Sequence, residues 1–152
     1  MSTYNLGYLS IFSNFKITTM KDRYFNSSES VHRLVKAFKE HRNLFIAFDF
    51  DNTVFDTHKL GDTFPKMESL LRFLKKEGFM LILFTGNEGN RLKEIVKYCT
   101  EHGYEPDYVN ENPIENSRKP YFNILLDDKA GLNEAYQILV TTLNILEYPF
   151  HE

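Results

Sequence analysis

The feature that most constrains the fold is an alternation of short, wholly apolar runs with longer segments of helical hydrophobic spacing. Two runs fall at residues 44–48 and 79–84, a third strand at about 123–126 consists of three apolar residues after Asn123, and a weaker strand candidate lies at 107–110. Uninterrupted apolar runs of this length are typical of strands that are covered on both faces. Since strands that alternate with helices form parallel sheets, the sequence predicts an α/β fold with a doubly wound parallel sheet.

Four segments place apolar side chains at the i, i+3, i+4 and i+7 positions of a helix. They fall at residues 31–38, 67–74, 92–99 and 132–146. Ser28 and Ser30 are candidate N-caps of the first helix. Gly78 follows the second segment and Gly103 follows the third, and glycine at these positions suits the end of a helix.

The chain length predicts one domain, because 152 residues with 42% hydrophobic content can bury a single core. Residues 1–28 mix aromatic and polar side chains without a sustained period, so we assign them to an N-terminal arm of undetermined structure. Residues 29–152 form the predicted α/β domain.

Composition narrows the class of protein further. The net charge of -3 argues against a dedicated nucleic-acid binder. The longest wholly apolar run has six residues, whereas a membrane span needs about 20. Cys99 is the single cysteine, and the N-terminus lacks a signal-peptide profile, so we expect a cytoplasmic protein that does not enter a membrane. The sequence leaves open whether the chain forms a homo-oligomer.

Polar side chains capable of chemistry follow each of the three strong strands. They are Asp49, Asp51 and Thr53 after the first, Thr85, Gly86 and Asn87 after the second, and Asp127 and Asp128 after the third. The carboxyl ends of parallel strands meet at one edge of the sheet, where ligands of such folds bind. Any one of these clusters alone is more often a turn or a cap, but their joint occurrence favours a site.

The acidic residues of these clusters predict a cation. If the first strand continues through Asp51, its side chain lies on the same face as that of Asp49, about 7 Å away. With Asp127 and Asp128, four carboxylates would share one small region, which is unfavourable unless protons or a cation compensate. Mg²⁺, which prefers hard oxygen ligands, is the natural cofactor, with these four residues as its candidate ligands.

With these motifs, residues 44–131 resemble the haloacid dehalogenase superfamily of phosphotransferases and phosphohydrolases, and in particular small members that lack a cap domain. The matching residues, in the order that the superfamily requires, are Asp49, Asp51, Thr53, Thr85, Lys119, Asp127 and Asp128. The resemblance implies a Rossmann-like, haloacid-dehalogenase-like fold. It also implies a Mg²⁺-dependent phosphatase that hydrolyses phosphomonoesters.

The resemblance also implies a role for each catalytic residue. Asp49 would be the nucleophile that forms an aspartyl-phosphate, and Asp51 would be the general acid and base. Thr85 and Lys119 would hold the phosphoryl group, although Arg118 could supply the positive charge instead. Among the metal ligands, the resemblance favours Asp128 as the direct one, together with Asp49 and the backbone carbonyl of Asp51. Asp127 would then orient the site.

Further substrate contacts are predicted where the third helix begins. Gly86 and Asn87 follow Thr85, and Arg91 lies a few residues on, where free helical N–H groups favour anions. A simple turn and cap is an equally good interpretation of these residues.

The short connections between the motifs bear on the substrate. Neither the stretch after Thr53 nor that between Thr85 and Lys119 can house a folded cap, so we expect an open site. Such a site admits a small-molecule or nucleotide phosphomonoester, a phosphosugar or a phosphorylated nucleic-acid end. Two alternatives stay open at this point: a non-catalytic binding module that keeps the fold, and phosphoryl transfer to an acceptor other than water.

Overall fold

The structure is a computed structural model that describes residues 26–61, 64–115 and 117–151. Its elements in chain order are α1 (Ser27–His41), β1 (Phe45–Phe48), α2 (Phe64–Lys76), β2 (Met80–Leu83), α3 (Gly89–Glu101), β3 (Tyr108–Val109), β4 (Ile124–Leu126) and α4 (Leu132–Ile145). Every predicted strand and helix is present, with bounds that differ by a few residues at most. Residues 1–25 of the predicted N-terminal arm lie outside the described residues.

The four strands form one sheet in the order β3-β2-β1-β4, and every pair is parallel. Ile46 of β1 pairs with Leu81 on one side and Ile124 on the other. Successive residues of β1 point to opposite faces, yet Ile46, Ala47 and Phe48 are all fully buried. Both faces of the sheet are therefore covered, and the predicted Rossmann-like parallel α/β fold is confirmed.

The strand order creates a crevice between β1 and β4. From β1 the chain builds β2 and β3 on one side, and it then crosses to add β4 on the other. The carboxyl ends of β1 and β4 thus flank the point at which the strand order reverses. In open α/β sheets this point is where ligands bind.

The helices cover the sheet with the apolar faces that their spacing predicts. In α2, Met67, Leu70, Leu71 and Leu74 are buried, and Gly78 follows the helix with a φ of 84°. A positive φ strains residues that carry a Cβ atom, so glycine suits this position. Among the described residues, no helix combines the length and the apolar composition that a membrane crossing requires.

The start of α1 corrects the predicted caps. Neither Ser28 nor Ser30 is the N-cap. That position is occupied by Asn26, whose side chain accepts a hydrogen bond from the backbone N–H of Ser28 at 3.0 Å. Asparagine caps helices as well as serine does, so the helix begins earlier and takes both serines into its first turn.

Candidate active site

The predicted convergence of polar residues at one edge of the sheet is present. Asp49 directly follows β1, Asp127 directly follows β4, and Thr85 lies just beyond the end of β2. The backbone N–H of Asp49 donates to the carbonyl oxygen of Leu126 at 3.0 Å, so the pairing of β1 with β4 extends to the nucleophile candidate. The acidic clusters that follow β1 and β4 therefore meet at the crevice where the strand order reverses.

The chain turns sharply between Phe50 and Phe55, just beyond the end of β1. Strand β1 ends at Phe48, and Asn52 adopts a left-handed conformation with a φ of 59°. The N–H groups of Val54 and Phe55 both donate to the carbonyl oxygen of Phe50 at 3.0 Å. The assigned strand thus ends before Asp49, whereas the separation of about 7 Å was derived for a strand that continues through Asp51; that separation stays a prediction.

Asp49 is surrounded by features that disfavour its negative charge. Its carboxyl group is half-buried, and burial is the main cause that raises its pKa from 3.8 to about 6. A hydrogen bond from the backbone of Phe50 acts in the opposite direction, whereas the charges of Asp127, Asp128 and Asp51 raise the pKa further. These carboxylates are thus close enough to oppose one another's ionisation.

Thr53 links the two acidic clusters. Its side chain is 1% exposed, and its hydroxyl group donates to Oδ2 of Asp49 at 3.4 Å. The hydroxyl oxygen of Thr53 in turn accepts a hydrogen bond from the backbone N–H of Asp128 at 2.9 Å. This residue therefore holds the turn after β1 against the turn after β4.

We expect Thr53→Val to lower the free energy of unfolding by about 0.5–1.5 kcal/mol, because it removes the hydroxyl group that accepts the part-buried hydrogen bond from the N–H of Asp128. Denaturant titration measures the loss. Thr142→Val is the matched control, since Thr142 is also buried but its hydroxyl group donates only to the helical carbonyl of Ile138. An equal loss in both variants would contradict the linking role of Thr53.

The pKa of Asp49 predicts how stability depends on pH when no divalent cation is present. Because the folded state binds this proton more tightly than the unfolded state, the contribution of Asp49 is complete below its ordinary pKa of 3.8 and is lost as the pH rises through about 6. The Tm of the natural chain minus that of Asp49→Asn should therefore fall between about pH 4 and pH 7 in chelator. Thermal melts across this range test it, and a difference that is constant or grows with pH would refute it.

Asp51 is held by three groups on its own side of the crevice. Its Oδ2 accepts from the side-chain amide of Asn87 at 2.7 Å, and its Oδ1 accepts from the hydroxyl group of Thr57 at 2.6 Å. A guanidinium nitrogen of Arg91 lies 4.0 Å from Oδ1. The amide of Asn87 also donates to the hydroxyl group of Thr85 at 2.8 Å, so the predicted substrate-contact cluster adjoins Asp51.

The contact of Thr57 with Asp51 was not predicted. Thr57 reaches Asp51 because the chain turns at Asn52, which is left-handed. Hydrophobic periodicity does not reveal such a turn, although asparagine is itself a signal for one. Arg91 was singled out as a helix-start anion candidate, and the structure instead places it beside a carboxylate.

Among the described residues, neither Lys119 nor Arg118 forms an ion pair with Asp49 within 4.0 Å. Both are exposed, in a segment that Asn112 organises by donating to the backbone carbonyl oxygens of Ser117 and Lys119, each at 2.9 Å. Among the described residues, no carboxylate oxygen lies within 4.0 Å of the Lys119 ammonium group. Gly86 is exposed, with open space where a Cβ atom would stand.

The two residues of the acidic pair differ in their surroundings. Asp127 is half-buried and accepts a hydrogen bond from the backbone N–H of Lys129 at 2.8 Å, whereas the side chain of Asp128 is exposed. The charge of Asp127 also has the larger effect on the pKa of Asp49. Both carboxylates therefore remain available as partners of Asp49, and Asp127 acts on it more strongly.

The donor set fits Mg²⁺ by its chemistry. In the part of the chain that the structure describes, no three acidic, histidine or cysteine side chains are gathered closely enough to chelate a metal by themselves. Mg²⁺ does not need such a cage, because it keeps several waters and binds through one or two carboxylates together with substrate phosphate. Asp49 and one member of the acidic pair would supply those carboxylates, and their mutual repulsion is what a cation relieves.

Comparison with known proteins supports the fold and assigns no family. The described residues define a Rossmann-like α/β protein with an acidic cluster where the strand order reverses. No protein-family model matches the chain, and no curated protein matches it. It is similar to a solved structure described as that of a conserved protein coded by a locus of Bacteroides thetaiotaomicron, with 27% identity, coverage of 71% of this chain and 93% of that chain, and a TM-score of 0.53.

Proposed function

We propose that the chain is a Mg²⁺-dependent phosphomonoester hydrolase of the haloacid dehalogenase type, acting through an aspartyl-phosphate on Asp49. One observation carries the proposal. At the crevice between β1 and β4, Asp49 is destabilised as an anion by burial and by the charges of Asp127, Asp128 and Asp51. A fold without a ligand here gains nothing from this repulsion, whereas a phosphatase needs acidic groups at this position.

The chemistry proceeds in two displacements. A carboxylate oxygen of Asp49 attacks phosphorus, the bond to the leaving oxygen breaks, and Asp51 gives its proton to that oxygen. Water then attacks the aspartyl-phosphate, Asp51 takes a proton from the water, and the bond between phosphorus and Asp49 breaks. Inorganic phosphate and an alcohol are the products, and both carboxyl groups return to their starting state.

The contacts of Asp51 suit this double role. The amide of Asn87 and the hydroxyl group of Thr57 each donate to a different oxygen of its carboxyl group, so its orientation is fixed from both sides. Because a general acid must lie within hydrogen-bond reach of the leaving oxygen, fixing this side chain favours catalysis. Arg91 adds positive charge on the same side.

The phosphoryl group would be held by the segment that follows β2. The hydroxyl group of Thr85 and the N–H groups of Gly86 and Asn87 lie between the end of β2 and the start of α3. Lys119, or Arg118 beside it, would contribute a cation once an anionic substrate attracts the exposed segment that carries them.

A bound Mg²⁺ would neutralise charge on the phosphoryl oxygens in the transition state. Asp49, the backbone carbonyl of Asp51 and one of Asp127 and Asp128 would hold it. We further place the protein in the cytoplasm, because its single cysteine, Cys99, can form no internal disulfide, which fits a reducing compartment.

Release of inorganic phosphate tests the proposal. The natural chain should hydrolyse at least one of glycerol phosphate, ribose 5-phosphate, a nucleoside monophosphate or a 3′- or 5′-phosphorylated oligonucleotide, in the presence of Mg²⁺. Asp49→Asn, purified identically, controls for a contaminating phosphatase. Absence of turnover on the whole panel, with a folded protein and millimolar Mg²⁺, would refute the proposed function.

A further inference from the structure

A cleft of about 250 Å³ opens next to the turn that carries Asp51. Its walls come from the turn after β1 and from α3, and they include Phe50, Phe55, Arg91, Ile95 and Tyr98. The proposed chemistry assigns no role to its aromatic residues.

The aromatic wall of the cleft is fixed in place. The rings of Phe50 and Phe55 are stacked, with centroids 5.6 Å apart and planes at 7°, and Tyr98 meets each of them edge-on at 5.5 Å. The hydroxyl group of Tyr98 donates to Glu68 of α2 at 2.8 Å. Phe50 is buried, but Phe55 is 38% exposed, so a flat apolar surface with a rigid backing borders the cleft.

The aromatic wall is connected through the backbone to Asp51, the proposed general acid. Asp51 and Phe55 form an isolated backbone bridge, and the N–H of Asn52 donates to the carbonyl oxygen of Phe55 at 2.8 Å. Arg91 lines the cleft and also approaches Asp51 to 4.0 Å. The backbone and Arg91 thus connect the aromatic wall to the residue that carries the proposed acid.

We propose that the cleft is a leaving-group subsite for a planar aromatic ring, which makes phosphomonoesters with such a ring in the alcohol portion the preferred substrates. The inference rests on the proposed hydrolase function. The leaving oxygen must lie at Asp51, so the remainder of the alcohol extends toward Phe55, whose exposed ring offers a face for stacking. Arg91 supplies a cation for the phosphate end of the same substrate.

Two sources of the ring share this chemistry, a nucleoside monophosphate and an aryl phosphate. Glu94 and Glu101 border the cleft, and each is paired with a cation: Glu94 with Arg91 at 3.3 Å and Glu101 with Lys97 at 3.6 Å. The rim favours the nucleoside, because the carboxylate oxygens outside these pairs accept hydrogen bonds from the N–H and hydroxyl groups of a nucleoside. A simple phenyl group offers them no donor.

The test compares kcat/KM for adenosine 5′-monophosphate with that for ribose 5-phosphate, which lacks the ring. The natural chain should prefer the nucleotide, and Phe55→Ala should lower this ratio by roughly five- to a hundredfold, the range expected for loss of one stacked base. Phe55→Tyr, which keeps the ring, should retain the preference, and Phe55→Leu, which keeps apolar bulk, should lose it. Ile145→Ala is the matched control, because Ile145 is also 38% exposed but lies on α4, and it should leave the ratio unchanged.

The outcomes separate the two proposals. Hydrolysis of both substrates at equal kcat/KM would overturn the subsite while the hydrolase stands, as would a preference that Phe55→Ala and Phe55→Leu both leave intact. A loss in Phe55→Ala for phenyl phosphate but not for the nucleotide would identify the aryl source. Absence of all turnover would overturn the hydrolase and the subsite with it.

Discussion

Replacement of Asp49 by asparagine is expected to lower kcat by roughly a thousandfold or more while the fold is retained, because an amide is a poor nucleophile toward phosphorus. The amide has nearly the shape of the carboxyl group and removes the charge that burial disfavours, so the Tm should not fall. Initial rates at saturating substrate, together with thermal melts, measure both effects.

Asp56→Asn is the matched control for the nucleophile. Asp56 lies in the same turn region, but its carboxyl oxygens accept from the backbone N–H groups of Leu60 and Gly61 at 2.8 and 3.2 Å, away from the crevice. This variant should keep most of its turnover. A folded Asp49→Asn protein that hydrolyses phosphomonoesters at near the natural rate would exclude Asp49 as the nucleophile.

Removal of divalent cations is expected to abolish activity, and Mg²⁺ is expected to restore it. Two like charges about 4 Å apart repel by about 4 kcal/mol at an effective dielectric of about 20, so a cation should also stabilise the fold. Millimolar Mg²⁺ should therefore raise the Tm, by linkage to a site that only the folded state offers. Ca²⁺ should bind but support little turnover, because its longer bonds misplace the nucleophile.

Alanine variants of Asp127 and Asp128 test which of the two residues binds Mg²⁺ directly. The family resemblance favours Asp128, whereas the stronger effect on Asp49 comes from Asp127. Whichever residue binds directly, its replacement by alanine should remove the Mg²⁺-dependent rise in Tm, and Asp56→Ala should leave that rise in place. Full activity in chelator, with no effect of Mg²⁺ on the Tm, would exclude the metal.

The elements of the fold could be predicted because their signals are local. The apolar run of β1 and the spacing of Met67, Leu70, Leu71 and Leu74 in α2 each arise from burial within one element. The cap of α1 was misplaced because Asn26 and Ser28 are both good caps, and which one serves depends on where the helix begins. The pairing of β1 with β4 could not be predicted from a local signal, because it depends on the side of the sheet to which the chain returns after β3.

The candidate site could be predicted in part for the same reason. The polar clusters at the strand ends are local, and parallel topology alone brings Asp49 near Asp127. The separation of about 7 Å between Asp49 and Asp51 stays a prediction, because it was derived for a strand that continues through Asp51, whereas β1 ends at Phe48. The position of Lys119 could not be predicted, because it depends on hydrogen bonds from Asn112 within an irregular segment.

The pairing of β4 with β1 also determines when the crevice can exist during synthesis. Ile46 pairs with Ile124, and α1 packs against α4, so early and late parts of the chain complete each other. At translation rates of about 5–20 residues per second, one edge of β1 waits for roughly 4–16 s on the ribosome before its partner has been made. Throughout that interval Asp49 lacks Asp127 and Asp128 as neighbours. A nascent chain that stalls before β4 therefore presents an unpaired strand edge to its surroundings and carries no crevice in which a phosphoryl group could react.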